Sequence, residues 1–190
     1  MSDVAAARSM AEPAITGEQL ARMPGLGRCE LVDGRIVAMS PTSDEHGRVE
    51  LCVGAILRDF VRPRGLGRVR VGEVGIYTRR DPDRVRGADV IYISNERYAQ
   101  RDVFLAFLDI APDLVVEILS PRDAAMDLAE KIREYFAIGV RMVWVIDPRA
   151  RRVLVYRTAT ALREFGEGER LPGDDVLPGL EIPVADLFEE

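Results

Sequence analysis

The sequence is poor in the residues that most often carry chemistry. It holds one histidine, His46, one lysine, Lys131, and two cysteines, Cys29 and Cys52. With a single histidine and no CxxC spacing, the cysteines cannot form a zinc-ligand set. Two cysteines in a chain of this length also make no disulfide framework, and they fit a reducing compartment. No apolar run approaches the ~18 residues that a spanning helix needs. The opening residues, MSDVAAARSMAEPA, lack the apolar core of a secretory signal. Residues 1–14 therefore read as a frayed tail on a cytoplasmic protein.

What remains is an ordinary globular composition. The chain has 190 residues, 47% hydrophobic and 31% charged, enough for one domain spanning 15–190. A net charge of −6 argues against a generic nucleic-acid binder. The charge is uneven, however, because residues 58–86 carry nine arginines against four acids. That segment is either a solvated charged face or a basic lip beside an acidic site. In the second case Arg79, Arg80, Arg84 and Arg86 are the candidates for phosphate contacts.

Of 26 basic residues, 25 are arginine. Arginine and lysine exchange freely on a wet surface, but not where a compact point charge must fit. Lys131 is thus the first residue to question.

Pattern places the elements. Thr16 with Gln19 three positions on has capping-box register. Residues 28–39 alternate around Asp33-Gly34, the favoured two-residue hairpin turn. Thr42 or Ser43 can cap a helix whose apolar stripe is Val49, Val53, Ile56, Leu57 and Phe60. Alternation predicts strands over 67–78 and 88–93, separated by a polar loop. A short helix is predicted near 95–100. DLVVEIL after Pro112 is nearly continuous and suits a strand buried on both faces. A helix from Asp123 to about Ile138 ends at Gly139. Strands follow at 140–146, 152–156 and 162–165, then an acidic Gly- and Pro-rich end with a last short element near 184–188. The fold class is α/β (α+β): one mixed central sheet flanked by helices, with an N-terminal β-hairpin.

Three charges interrupt this apolar pattern. Glu117 lies inside DLVVEIL, and Asp89 opens the apolar strand GADVIYI. A carboxylate in such a place costs several kcal/mol unless it is paired or binds a cation. Lys131 lies beside the apolar stripe of the following helix, in a row with Asp127 and Tyr135. It can pair with Asp127 on the surface or reach the strand end that carries Glu117. Two carboxylates on adjacent strands plus a lysine suit a hard cation such as Mg²⁺ (or Mn²⁺). Such an ion lowers the pKa of bound water and polarises a phosphoryl oxygen.

The segments ELVDGRIVAMSP, a histidine five residues on, RGADV, APDLVVEILSP, a D-x-x-x-K helix and VWVIDP together resemble the Uma-two family. That family is classed among restriction-endonuclease-like proteins of the PD-(D/E)xK nuclease superfamily, and the resemblance covers roughly residues 14 to 188. It implies a restriction-endonuclease-like domain, a metal-dependent endonuclease activity and DNA as substrate. It makes Asp89 the aspartate of the PD motif and Glu117 the acid of the (D/E)xK motif, both as metal ligands. Lys131 takes the role of the motif lysine, moved from the strand to the next helix. Glu30 and His46 match further polar positions, and Glu30 would complete the acidic cluster. Two departures stand out: Ala88 replaces the motif proline, and Leu119 occupies the usual lysine position. Cutting both strands in place calls for two symmetric sites, which suits a homodimer. The competing reading is an inactive nuclease fold that binds nucleic acid or a protein partner. The acidic net charge and the lack of a DNA-reading helix motif favour that alternative.

Overall fold

A computed structural model describes residues 13–120 and 125–189. The tail expected over 1–14 falls almost wholly outside them, as does the helix start expected at Asp123.

The chain opens with α1 (Gly17–Leu20), closed by the capping box of Thr16 and Gln19. Strands β1 (Cys29–Val32) and β2 (Arg35–Ala38) form the predicted hairpin. Asp33 and Gly34 both take positive φ, 53° and 72°, as the tight turn of a twisted hairpin requires. Helix α2 (Asp44–Val61) is capped by Ser43 rather than Thr42. Strands β3 (Gly67–Arg79) and β4 (Arg84–Ser94) make a long antiparallel pair. The second of these starts four residues before the expected 88. Arg84 and Arg86 look like loop residues by composition, but β3 pairs with them and buries Arg86.

A short α3 (Asn95–Tyr98) follows, then β5 (Leu114–Ile118), α4 (Ala125–Ala137) and β6 (Met142–Asp147). β5 and β6 are parallel, so the connection between them must cross over, and α4 lies in it. The remaining sheet strands are β7 (Arg152–Tyr156) and β8 (Leu162–Gly166). The Gly- and Pro-rich end forms a separate ribbon of β9 (Arg170–Pro172) and β10 (Glu181–Pro183), which alternation did not reveal. A 3₁₀ turn, Val184–Leu187, completes the described chain.

The main sheet runs β2-β1-β4-β5-β6-β7-β8, with β3 on the other edge of β4. Every pairing except β5 with β6 is antiparallel. One face is covered by Val49, Val53, Leu57 and Val61 of α2 together with the C-terminal segment. The other receives Ile132 and Tyr135 of α4. All five residues of β5 are buried, as a strand with both faces covered requires. Each fully buried Val or Leu contributes about 1.5–3 kcal/mol of transfer free energy, so α2 and α4 hold the sheet rigid from both sides. No helix among the described residues is long and apolar enough to cross a membrane.

Candidate active site

The site forms where the sheet forks. On its free edge β4 pairs with β1 only at Val85, then with β5 from Val90 to Tyr92. Between these ladders, among the described residues, positions 86–89 have no strand partner on that edge. Side chains take up the freed backbone groups instead. Gly87 N donates to Glu30 Oε1 at 3.0 Å, and Gly87 O accepts from Lys131 Nζ at 3.2 Å. The fork opens into a cleft of about 810 Å³ lined by Glu30, His46, Glu73, Asp89, Glu117 and Lys131 among others.

The register of Val90 with Val116 sets Asp89 opposite Glu117 on neighbouring strands. Both are buried. Asp89 Oδ2 accepts the backbone N–H of Ile118 at 2.6 Å, and Asp89 Oδ1 lies 3.1 Å from His46 Nε2. His46 reaches it from the first turn of α2. Burial disfavours the imidazolium, but the hydrogen bond and charge of Asp89 outweigh this and raise the His46 pKa.

Glu117 Oε1 accepts from Tyr135 Oη at 2.6 Å, and its Oε2 lies 3.4 Å from Lys131 Nζ. Burial is the largest influence on Glu117 and raises its pKa to about 7, with Asp89 and Glu30 adding to the rise and Lys131 and Tyr135 opposing it. Burial also works against the Lys131 ammonium, but Glu117, Glu30 and Asp89 overcome it and lift its pKa above the ordinary lysine value. Its acidic neighbours thus favour the charged form of Lys131. It does not pair with Asp127 on the helix surface, because its ammonium lies 2.9 Å from Glu30 Oε1. Asp127 instead faces Arg86 at 3.3 Å.

Glu30 has both oxygens engaged. Oε1 takes Gly87 N and Lys131, and Oε2 takes Arg86 Nη1 at 2.8 Å. Arg86 is 2% exposed and also grips Glu134 through two hydrogen bonds of 3.0 and 2.9 Å. Arg84 is spent on Asp33, Glu130 and Glu134. Arg84 and Arg86, expected as phosphate contacts, thus have carboxylate partners in this fold. The local excess of acid at the fork takes up their guanidinium groups, so Arg86, 2% exposed, lines the cleft with its charge already paired. Arg79 and Arg80 are about half exposed, paired with Asp33 and with Glu18 and Asp83 respectively.

The structure thus brings Glu30, His46, Asp89, Glu117 and Lys131 into one cleft. It adds two residues that pattern reading missed or under-used. Tyr135 is fully buried, as an apolar-stripe residue should be, yet its hydroxyl supports Glu117. Glu73 enters from a β-bulge between Val71 and Val74. There Gly72 and Glu73 take φ of 91° and 57°. A signal existed in the sequence: the apolar parity of β3 switches from odd (Val69, Val71) to even (Val74, Ile76) across that dipeptide.

No curated protein matches the sequence. Among solved structures, the chain is similar to one described as a putative nuclease belonging to DUF820 from Anabaena variabilis, with a TM-score of 0.76 at 23% identity. That likeness covers 92% of this chain and 97% of the other, and it shows a shared fold. The Uma2 family, described as "Putative restriction endonuclease", matches residues 18–185. By that match over most of its length, the chain belongs to the Uma2 family.

Proposed function

We propose that this protein is a metal-dependent endonuclease that hydrolyses phosphodiester bonds of DNA through a metal-activated water. The observation that carries the reading is the convergence of Asp89, Glu117 and Lys131, all buried, at one fork in the sheet. Burying two carboxylates side by side is unfavourable unless cations compensate. Lys131 supplies one unit of charge and is shared with Glu30.

The donor set fits a divalent ion. It is rich in carboxylate oxygen, and His46 Nδ1 is a buried polar atom with no hydrogen-bond partner. Asp89 and Glu117 are the residues that would hold the ion, which when bound lowers the pKa of a water and polarises the phosphoryl oxygen. The remaining roles belong to the chain itself. Lys131, kept as an ammonium by its acidic neighbours, orients the attacking water and stabilises charge on the phosphorane. It is not a base. Glu30, fixed by Arg86 and Gly87 N, sets where that ammonium lies. Tyr135 holds Glu117 Oε1, which leaves Oε2 facing the cleft side of Lys131.

The test is incubation of supercoiled plasmid with wild type, Glu117→Ala and Lys131→Ala in Mg²⁺ or Mn²⁺, beside calorimetric metal titration. Wild type is expected to nick the plasmid. Each variant should lose about 10²–10³ in rate, as removal of one transition-state contact typically does. Lys131→Ala should still bind metal. Intact plasmid with wild type, or nicking that survives both substitutions, overturns the reading.

A further inference from the structure

The arginines around the fork are spent on carboxylates, but those at the other end of β3 are not. Arg62, Arg64, Arg68, Arg70 and Arg101 are at least partly exposed and form no ion pair among the described residues. Contacts join them into one ridge. Asn95 Nδ2 donates to Gly65 O at 2.7 Å, in the turn that carries Arg62 and Arg64, and Asn95 Oδ1 accepts from Arg68 Nη1 at 2.9 Å. Arg68 and Arg101 both stack on the ring of Tyr98, with guanidinium carbons 4.0 and 3.7 Å from its centroid. Arg70 follows Arg68 on the same face of β3, whose pairing with β4 is regular from Gly67 to Val71.

We infer that this ridge is the surface on which the sugar–phosphate backbone of duplex DNA lies as it leaves the cleft. The inference rests on the endonuclease reading for the identity of the polyanion, and it names the face and the residues that hold it.

Three features support it. The first is preorganisation. A guanidinium without a carboxylate partner keeps N–H groups for phosphate, which its planar fork grips with two parallel hydrogen bonds. The rings that carry these groups are themselves anchored: Tyr98 packs on one core of the sheet, and Phe60, 4.0 Å from the Arg64 guanidinium, packs on the other. Arg64 and Arg101 each donate Nη1 to a backbone carbonyl, at 3.1 and 3.0 Å, which leaves Nη2 for a ligand. The second is charge. The chain carries −6 overall, yet the acids bordering the ridge outside ion pairs are Glu96 and Asp102, and Asp102 Oδ1 is occupied by the N–H of Phe104 at 2.9 Å. Asp59 is held by Arg58 at 3.2 Å. The third is continuity. Glu73 lines the cleft, and Arg70 and Arg68 precede it on the same strand. At about 3.3 Å per residue they stand about 10 and 17 Å from it along β3. Each strand of B-DNA carries one phosphate per about 3.4 Å of helix axis, so this interval reaches the backbone about three to five base pairs from the bond being cut.

Fluorescence anisotropy tests this with a labelled duplex of about 20 base pairs, two turns of the helix, in Ca²⁺ and with the duplex checked by gel to be uncut. The proteins are wild type, the double variants Arg62→Gln with Arg64→Gln and Arg68→Gln with Arg70→Gln, and Arg163→Gln on β8 at the far edge of the sheet as a control for net charge. Wild type is expected to bind with a steep dependence on salt. Each ridge variant should weaken binding at least about tenfold and reduce the slope of log affinity against log salt by about 2, one for each phosphate contact removed. Arg163→Gln should stay within about twofold of wild type. Ridge variants that match Arg163→Gln in affinity and slope overturn the inference, even if plasmid is nicked in Mg²⁺ and the endonuclease reading stands. So does a wild type that leaves the duplex free at about 50 mM salt, or that binds anionic phospholipid vesicles through these arginines in its place. Duplex binding that depends on the ridge, with plasmid left intact in Mg²⁺ and Mn²⁺, supports the inference and removes the endonuclease reading instead.

Discussion

Replacing Arg86 with methionine tests the charge balance of the fork. The side chain is 2% exposed and meets Glu30 at 2.8 Å and Glu134 at 3.0 and 2.9 Å, with Asp127 at 3.3 Å and Glu130 at 3.7 Å. Methionine keeps much of the volume and removes the charge. Breaking a buried pair from one side costs about 3–5 kcal/mol, because the partner carboxylates stay buried and uncompensated. Two of those partners keep other donors: Glu30 retains Lys131 and Gly87 N, and Glu134 retains Arg84 and Thr78. The expected loss therefore lies at the low end, about 3 kcal/mol. Against a typical total of about 5–15 kcal/mol this is large. For a domain of this size it corresponds to a fall in Tm of about 6–12 °C. Urea denaturation with an unchanged m-value measures it, and calorimetry checks the Tm. The double variant Arg86→Met with Glu134→Gln should recover part of the loss, since one uncompensated charge goes with it. A loss under about 1 kcal/mol would show that Arg86 does not neutralise the fork, and would reopen a ligand-binding role for it.

Tyr135→Phe removes the hydroxyl that supports Glu117 Oε1 and leaves a buried carboxylate short of a donor. A stability loss of about 1–3 kcal/mol in urea denaturation is expected, and no change would mean that the hydroxyl is idle. Glu134 has a lowered pKa despite its burial, through Arg86, Thr78 and Arg84. Its stabilising contribution is therefore full above the unfolded carboxylate value of about 4.3 and is lost as pH falls through the depressed folded value. Glu134→Gln should flatten the acid limb of Tm below about pH 5, and an acid limb as steep as wild type contradicts the assignment. Gly72→Ala places a side chain at φ 91°. It should cost about 1–2 kcal/mol of stability in urea denaturation, and a midpoint equal to wild type would show that the bulge accepts a side chain there.

Much of the architecture could be read from local pattern. The Asp33-Gly34 hairpin, the Thr16–Gln19 box and the doubly buried β5 each follow from a few adjacent residues, where backbone sterics and side-chain period act directly. Asp89 and Glu117 stood out because a charge inside an apolar strand is costly wherever that strand packs. Lys131 stood out because a single lysine among arginines has few explanations. The β9–β10 ribbon was not legible, since its strands are three residues long and its pairing depends on contacts across a Gly- and Pro-rich loop.

The strand and helix periods, the acids inside apolar runs and the lone lysine are legible along the chain, because each reflects short-range sterics or the cost of burying a charge. How these residues are used follows from contacts between distant segments. The fork between β1 and β5 frees Gly87 for Glu30 and Lys131. The packing of α4 turns Lys131 inward to Glu30 and Glu117 and away from Asp127. The same fold draws Arg84 and Arg86 onto carboxylates distant in sequence, so residues that composition marks as a basic lip become internal counter-ions. Charges pair with whatever the fold brings within a few ångströms, and that proximity is a property of the sheet rather than of any stretch of chain.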